Sequence, residues 1–269
     1  MLSWLTQSAA PLDPQAAAAA EARQGQLTKP PGSLGRLERL AQRLAALQGS
    51  ERPSLERIHI SVFAADHGVA AEGVSAFPQE VTVAMIANFA NGGAAISVLA
   101  RELGAQLEVV DVGAKAVPAA LPNVISRRVA AGSANFCQGP AMDEAQLAEA
   151  LSAGREAVER AVAAEAQLFI GGEMGIANTT SAAALASALL QKSPAELAGP
   201  GTGLDAAGVS HKAEVIGRAL ERHRHVLDEP QGVLRHLGGF EIAALCGAYI
   251  SAAQRGVPVL VDGYISSTA

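Results

Sequence analysis

The 269-residue chain is poor in cysteine, aromatic residues and charge, and each scarcity excludes something. It holds two cysteines, Cys137 and Cys246, and no CxxC pair. That leaves neither a disulfide framework nor a zinc-ligand pattern, and it fits a reducing, cytoplasmic setting. Aromatic residues make up 3% of the chain, too few for a platform that stacks single-stranded nucleic acid. The net charge is −6 and no basic run occurs, so nucleic acid is not expected as a partner. The N-terminus lacks a basic segment followed by an apolar core, so no signal peptide is expected. Uninterrupted apolar runs are short. The best, Val257 to Val261, is far below spanning length, and no membrane span is expected.

What the chain does have is hydrophobic residues, 49% of the total and much of it alanine, which suits closely packed helices. Its length allows one large domain, or one with a small appendage. The stretch that organises it runs from Leu168 to Ser181. Leu168-Phe169-Ile170 reads as a buried strand, Gly171-Gly172 as a sharp turn, and Asn178-Thr179-Thr180-Ser181 as the opening of an Ala-rich helix. A strand, a Gly-rich turn and a helix N-terminus together offer free backbone N–H groups to an anion. Glu173 sits in the middle. The pattern is neither GxGxxG nor GxxxxGK[ST], so neither a dinucleotide fingerprint nor a P-loop is present. A capped βα turn without a ligand is the competing reading.

Elsewhere, Asp13 and Pro14 start a helix near residues 11–25, and Leu37, Leu40, Leu44 and Leu47 give the next one an apolar stripe. Between them Lys29-Pro30-Pro31-Gly32-Ser33-Leu34-Gly35 forms a rigid loop. Residues 1–50 thus read as an N-terminal helical appendage, and 51–269 as an α/β domain. Strands are expected over 57–64, 106–112, 124–129, 166–170 and 257–261. Helices alternate with them, one entered through Pro78 in its first turn with Val81, Met85 and Phe89 on one face. Asp143 caps another. The class is α/β with a mostly parallel sheet. Ile265 to Ala269 reads as a helix just starting, and the chain stops without a C-cap, so a missing C-terminal part is expected.

Four strand ends carry polar residues: Asp66-His67, Asp111, Glu173 and Asp262. In a parallel sheet these ends share one edge, where they can converge. With the second Gly-rich loop, Ala198 to Gly203, and with Lys212, they suggest a site for a phosphorylated, sugar-containing substrate. Lys212 is a plausible phosphate partner, with a solvated helix lysine as the plain alternative. His67 reads as strand-end packing ahead of acid–base work. His223 and His225 have no third ligand candidate nearby, and no metal site is expected.

Six motifs in order carry a resemblance. They are Lys29-Pro30-Pro31-Gly32-Ser33-Leu34-Gly35, Ala65-Asp66-His67-Gly68-Val69, Pro78-Gln79-Glu80-Val81-Thr82, the run from Gly171 to Thr180, Gly238-Gly239-Phe240, and Leu260-Val261-Asp262-Gly263. With them the chain resembles the nicotinate-nucleotide:5,6-dimethylbenzimidazole phosphoribosyltransferases of cobalamin assembly, the CobT family. The resemblance implies a Rossmann-like mostly parallel sheet flanked by helices, a homodimer, and no metal or other cofactor. It implies transfer of phosphoribose from nicotinate mononucleotide to 5,6-dimethylbenzimidazole or a related base, giving nicotinate and α-ribazole 5′-phosphate. Glu173 would stabilise charge at C1′, with Gly175 beside it. Asn178, Thr179, Thr180, Gly201 and Lys212 would cradle phosphate and ribose. Phe77 and Met85, where well-known members have Ser and Gln, would floor an apolar base pocket favouring dimethylbenzimidazole over purines. Glu80 is grouped with these substrate-binding positions. The family's general base lies in a C-terminal Gly-Glu-Gly-Ser motif that this sequence lacks. About a quarter of the family's length is expected to be absent, and slow turnover with it. The alternative is a non-catalytic relative that binds nucleotide or base.

Overall fold

A computed structural model describes residues 2–269. Five parallel strands form one sheet: β1 (Ile58–Ala65), β2 (Gln106–Gly113), β3 (Val124–Ser126), β4 (Leu168–Met174) and β5 (Val259–Leu260), in the order β3-β2-β1-β4-β5. β1 lies at the centre, and after Ile58 all its residues are buried. A strand rich in buried apolar residues, with Ile60 and then Val62, Phe63, Ala64 and Ala65 in succession, suits a place covered on both faces. The order runs outward from β1 through β2 to β3, then restarts on its other side with β4 and β5. The reversal falls between β1 and β4, so a crevice opens beyond their C-terminal ends, at His67 and at Glu173 to Gly175.

The helices are α1 (Pro14–Gln24), α2 (Arg36–Gln48), α3 (Glu80–Ala90), α4 (Ala95–Glu102), α5 (Glu144–Ala163), α6 (Asn178–Leu190), α7 (Pro194–Leu197), α8 (Ala206–His223), α9 (Pro230–Leu237), α10 (Phe240–Gln254) and α11 (Tyr264–Thr268). α3 and α4 cover one sheet face, with Ile86, Phe89 and Ala100 against Ile60, Val62 and Val109. α5 and α10 cover the other. These two helices approach closely because their contact positions are small. A Cβ on Gly154 would lie 1.8 Å from Ala244 O, and one on Gly247 would lie 2.1 Å from Leu151 O.

Local signals match the elements where they are strongest. Asp13 accepts hydrogen bonds from Gln15 and Ala16 N–H at the start of α1, and Asp143 forms a capping box with Gln146 on α5. Five expectations are corrected. β4 runs on through Gly171-Gly172-Glu173-Met174 and does not turn at the glycines. They are needed for packing: a Cβ on Gly171 would sit 2.5 Å from Leu245 Cδ2, and one on Gly172 would sit 3.2 Å from Val62 Cγ2. Pro78 lies one residue before the N-cap Gln79, outside α3. The buried stripe of α3 is Thr82, Ile86 and Phe89, with Val81 and Met85 only half-buried. β5 keeps two residues, because only Val259 and Leu260 find partners on β4. The stripe on α2 also differs from expectation: Leu37 and Leu40 are exposed, and Ala45 and Ala46 are buried.

Among the described residues one stretch, 80–102, is apolar enough by composition to cross a membrane, with mean hydropathy 1.6. In the fold it is two helices of 11 and 8 residues, broken at Asn91 to Ala94, and each is too short to span.

Candidate active site at the ends of β1 and β4

The turn after β4 is made by Gly175-Ile176-Ala177. A Cβ on Gly175 would lie 2.3 Å from Ala65 O, so only glycine lets the chain pass the end of β1. Ala177 takes a left-handed conformation, φ 75°, and begins α6 without a side-chain cap. The first N–H groups of α6 are therefore not consumed by a capping side chain.

Lys212, on α8, points at this helix start. Its residue is 1% exposed, and Nζ donates to Thr179 Oγ1 at 3.0 Å and to Gly199 O at 3.1 Å. No carboxylate pairs with it among the described residues, and burial pushes its pKa down. The solvated-lysine alternative is thus excluded: this is a buried ammonium held by neutral acceptors beside a helix N-terminus. Gly201 closes over it at φ 56°, where a Cβ would sit 3.0 Å from Thr179 Oγ1 and 3.3 Å from Lys212 Nζ. Lys212, Thr179, Asn178, Gly175, Thr202 and Ser75 line a cavity of about 220 Å³.

A second cavity, about 520 Å³, opens on the other side of β4. Its walls are mostly apolar, with Ile60, Val62, Met85, Phe89, Ile96 and Ile170, and its polar groups are Asn88, Glu173, Asp262 and Ser266. Among the described residues Glu173 alone lines both cavities. Its Oε2 accepts a short hydrogen bond from Asn178 Nδ2. Burial, reinforced by the Glu241 carboxylate, pushes its pKa up to about 7, against the pull of Asn178 and His67.

The strand-end carboxylates do not all converge. Asp66 is buried and accepts from Thr82 Oγ1 and Lys115 N–H, both at 2.7 Å, and burial raises its pKa. Asp111 binds Gly113 and Ala114 N–H and pairs with Arg128 Nη1 at 2.7 Å. Both brace loops, and neither lines either of these two cavities. Glu173 and Asp262 do.

Of the positions expected from the resemblance, the catalytic Glu173 and the substrate-binding Gly175, Asn178, Thr179 and Lys212 meet at the first cavity, with Gly201 over Lys212. Met85 lines the second. Thr180 is fully buried in α6, and its Oγ1 finds no partner. Phe77 is 49% exposed in the loop before α3 and lies outside both walls. Glu80 is exposed in the first turn of α3, where its charge suits the helix dipole. Sequence reasoning missed both Asn88 and Glu241. Nothing local marks Glu241, because its partner His67 is 174 residues away.

An anion cradle and an apolar cleft, joined by one carboxylate at the switch point of a parallel sheet, define an enzyme that acts on a phosphorylated compound and a flat apolar one. The chain belongs to the phosphoribosyltransferase family DBI_PRT, whose sequence profile matches residues 9–269. It is 61% identical over 268 residues to a nicotinate-nucleotide–dimethylbenzimidazole phosphoribosyltransferase of Pseudomonas aeruginosa (strain LESB58), covering 100% of this chain and 76% of that protein. A protein of the same name from Xanthomonas axonopodis pv. citri is 59% identical over 266 residues, covering 99% of this chain and 76% of its own length. The crystal structure of CobT from Thermus thermophilus superposes with TM-score 0.90 at 46% identity, over 95% of this chain and 76% of that one.

Proposed function

We propose that this chain transfers phosphoribose from nicotinate mononucleotide to 5,6-dimethylbenzimidazole or a related base in cobalamin assembly. The observation that carries the proposal is that Glu173 lies between the two cavities. The names of its relatives support it.

The 5′-phosphate sits against Lys212 Nζ, Thr179 Oγ1 and the uncapped start of α6, where ammonium and helix-terminal N–H groups both favour an anion. Gly201 leaves it room, and Asn178 holds Glu173 toward the ribose. The flat base lies in the apolar cleft against Met85, Ile170 and Phe89. The C1′–N bond to the pyridinium breaks with its electron pair leaving on nicotinate, a neutral ring, and C1′ becomes electron-poor. The Glu173 carboxylate stabilises that charge. An imidazole nitrogen of the base donates its lone pair to C1′ from the opposite face, so the β linkage becomes α. Positive charge passes to the imidazolium, whose other ring nitrogen gives its proton to Glu173. A carboxyl with pKa about 7 serves both as anion and as proton acceptor near neutrality.

The same reading makes α1 and α2 a helical appendage to the α/β part from residue 51 on. It makes the protein a homodimer, which the exposed Leu34, Leu37 and Leu40 support. It places the enzyme in the cytoplasm, where free Cys137 and Cys246 are at home.

The test is chromatographic. Purified chain with nicotinate mononucleotide and dimethylbenzimidazole should yield nicotinate and α-ribazole 5′-phosphate in equal amounts. A folded protein that yields neither, and gives no heat with the nucleotide in calorimetry, overturns the reading.

A further inference from the structure

Behind the wall of the site lies a pair that the transfer chemistry does not touch. His67 and Glu241 are both 0% exposed, with Nε2 and Oε1 2.6 Å apart. The other ring nitrogen, Nδ1, is 3.1 Å from Ser181 Oγ. That hydroxyl is 2.9 Å from both Leu237 O and Gly238 O, which only accept, so it gives its one proton there. It therefore receives a hydrogen bond from Nδ1–H, and one proton is shared between Nε2 and Glu241 Oε1. With Nδ1 a donor, the surrounding carboxylates favour the charged ring, in which that shared proton sits on Nε2. Burial works against this charge, but the Glu241 carboxylate and its hydrogen bond, with Asp66 and Glu173, hold the pKa of His67 above its ordinary value.

The pair fills space that glycines vacate. A Cβ on Gly239 would lie 2.1 Å from His67 Cε1, and one on Gly175 would lie 3.3 Å from both Glu241 Oε1 and His67 Cδ2. Glu241 is thus one residue's thickness behind the loop that carries Glu173. Its second oxygen, Oε2, is buried with no hydrogen-bond partner, so part of the carboxylate's charge is left unanswered inside the pair. From these contacts we propose that Glu241, held by His67, is a positioning residue that sets the charge state in which Glu173 meets its substrates.

The groups around Glu173 decide how far this reaches. The end of β1 brings His67 and Asp66, α6 brings Asn178, α10 brings Glu241 and Tyr249, and the β5–α11 segment brings Asp262 and Ser266. Lys212 faces the shared cavity from α8. Glu241 pushes the Glu173 proton on and His67 pushes it off, and the carboxylate outweighs the imidazolium. Burial, with the Glu241 carboxylate adding to it, thus leaves Glu173 able to hold a proton at neutral pH, which a charge stabiliser alone has no need to do.

The inference uses the proposed reaction only for its second readout. The first is a carbon-13 NMR titration of protein labelled at glutamate Cδ, with the Glu173 signal assigned by Glu173→Gln. Wild-type Glu173 should titrate near pH 7. In Glu241→Gln the midpoint should move to lower pH. In His67→Gln, which leaves Glu241 without its cation, it should move to higher pH. The double variant pairs two neutral amides, keeps the cavity filled, and should again titrate below the wild type. The second readout is the acid limb of kcat/KM, which should follow the NMR midpoint. A purely structural pair would lower the rate and leave both the limb and the midpoint in place. An unmoved Glu173 midpoint in folded Glu241→Gln, or in the folded double variant, overturns the assignment. Midpoints that shift in a protein making no product would retain the assignment and overturn the transfer reading instead.

Discussion

Lys212 Nζ lies 3.0 Å from Thr179 Oγ1, joining α8 to the uncapped start of α6 across a small cavity. An ammonium so buried, with only neutral acceptors, destabilises the free protein. In the proposed reaction the 5′-phosphate supplies the missing counter-charge. Lys212→Met should therefore raise the melting temperature of the free protein slightly. It should also raise the KM for nicotinate mononucleotide by roughly 10- to 100-fold, the worth of one or two charge-assisted hydrogen bonds. Melting with and without nucleotide checks both halves. Saturating nucleotide should reverse the order of the two proteins, and an unchanged order would remove Lys212 from the phosphate site.

Glu173 links stability to pH with a definite sign. Its pKa rises from 4.5 to about 7 on folding, so the native state holds this proton more tightly than the unfolded chain does. Its contribution to stability is fully present below pH 4.5 and is lost as pH rises through 7. Glu173→Gln cannot ionise. Its stability relative to the wild type should be flat below that window and should rise across it to about 3 kcal/mol at pH 8. Activity should fall by about 100-fold or more at every pH. Denaturant unfolding at several pH values checks the first expectation. A difference between the two proteins that does not change with pH would mean that the carboxyl is not held neutral by the fold.

The elements that the sequence reveals are those whose signals are local. The caps at Asp13 and Asp143, the alternation of strands and helices, and the apolar run of β1 can each be read within a dozen residues. The misread parts depend on contacts across the fold. Gly171 and Gly172 look like a turn, but they stay in the strand because Leu245 and Val62 occupy the space of their missing side chains. For Lys212 the sequence left a solvated lysine open beside the phosphate partner, and only the closing of α6 and the 199–203 loop over it decides against solvent. The motif order gave the family, and with it most positions around the cavities. Phe77 fell outside them because the chain before α3 turns its ring toward solvent. The partnership of His67 with Glu241 had no sequence signal at all.

The close approach of α5 and α10 should make two glycine substitutions differ in sign. A methyl group on Gly154 would meet backbone atoms of α10 at 1.8 and 2.7 Å, which no rotamer change relieves. Gly154→Ala should cost about 3 kcal/mol or more, since the helices must separate. On Gly217, in α8, the same methyl finds nothing within 4 Å. Gly217→Ala should stabilise by about 0.5–1 kcal/mol through its helix propensity. Urea midpoints of the two variants test this, and a neutral Gly154→Ala would mean that α5 and α10 sit further apart.

Met85 and Phe77 separate two accounts of base choice. Met85 lines the apolar cleft, whereas Phe77 is 49% exposed and lies outside both cavity walls. A polar purine entering the cleft turns ring nitrogens and an amino group toward a wall dominated by Ile60, Val62, Ile170 and the Met85 thioether, where Asn88, Asp262 and Ser266 are too few to replace all of their lost water. Dimethylbenzimidazole leaves only methyl groups there. In competition, the wild type should use dimethylbenzimidazole in preference to adenine. Met85→Gln places an amide where the thioether was and should move the ratio of kcat/KM values toward adenine by about 10-fold, the worth of one hydrogen bond in a buried pocket. Phe77→Ser should move it far less, because the ring it removes already faces solvent. The ratio from a mixed-base assay decides between the positions. If Phe77→Ser shifts it more than Met85→Gln, the loop before α3 folds over the cleft when the base is bound. If adenine prevails in the wild type, the apolar wall does not select the base.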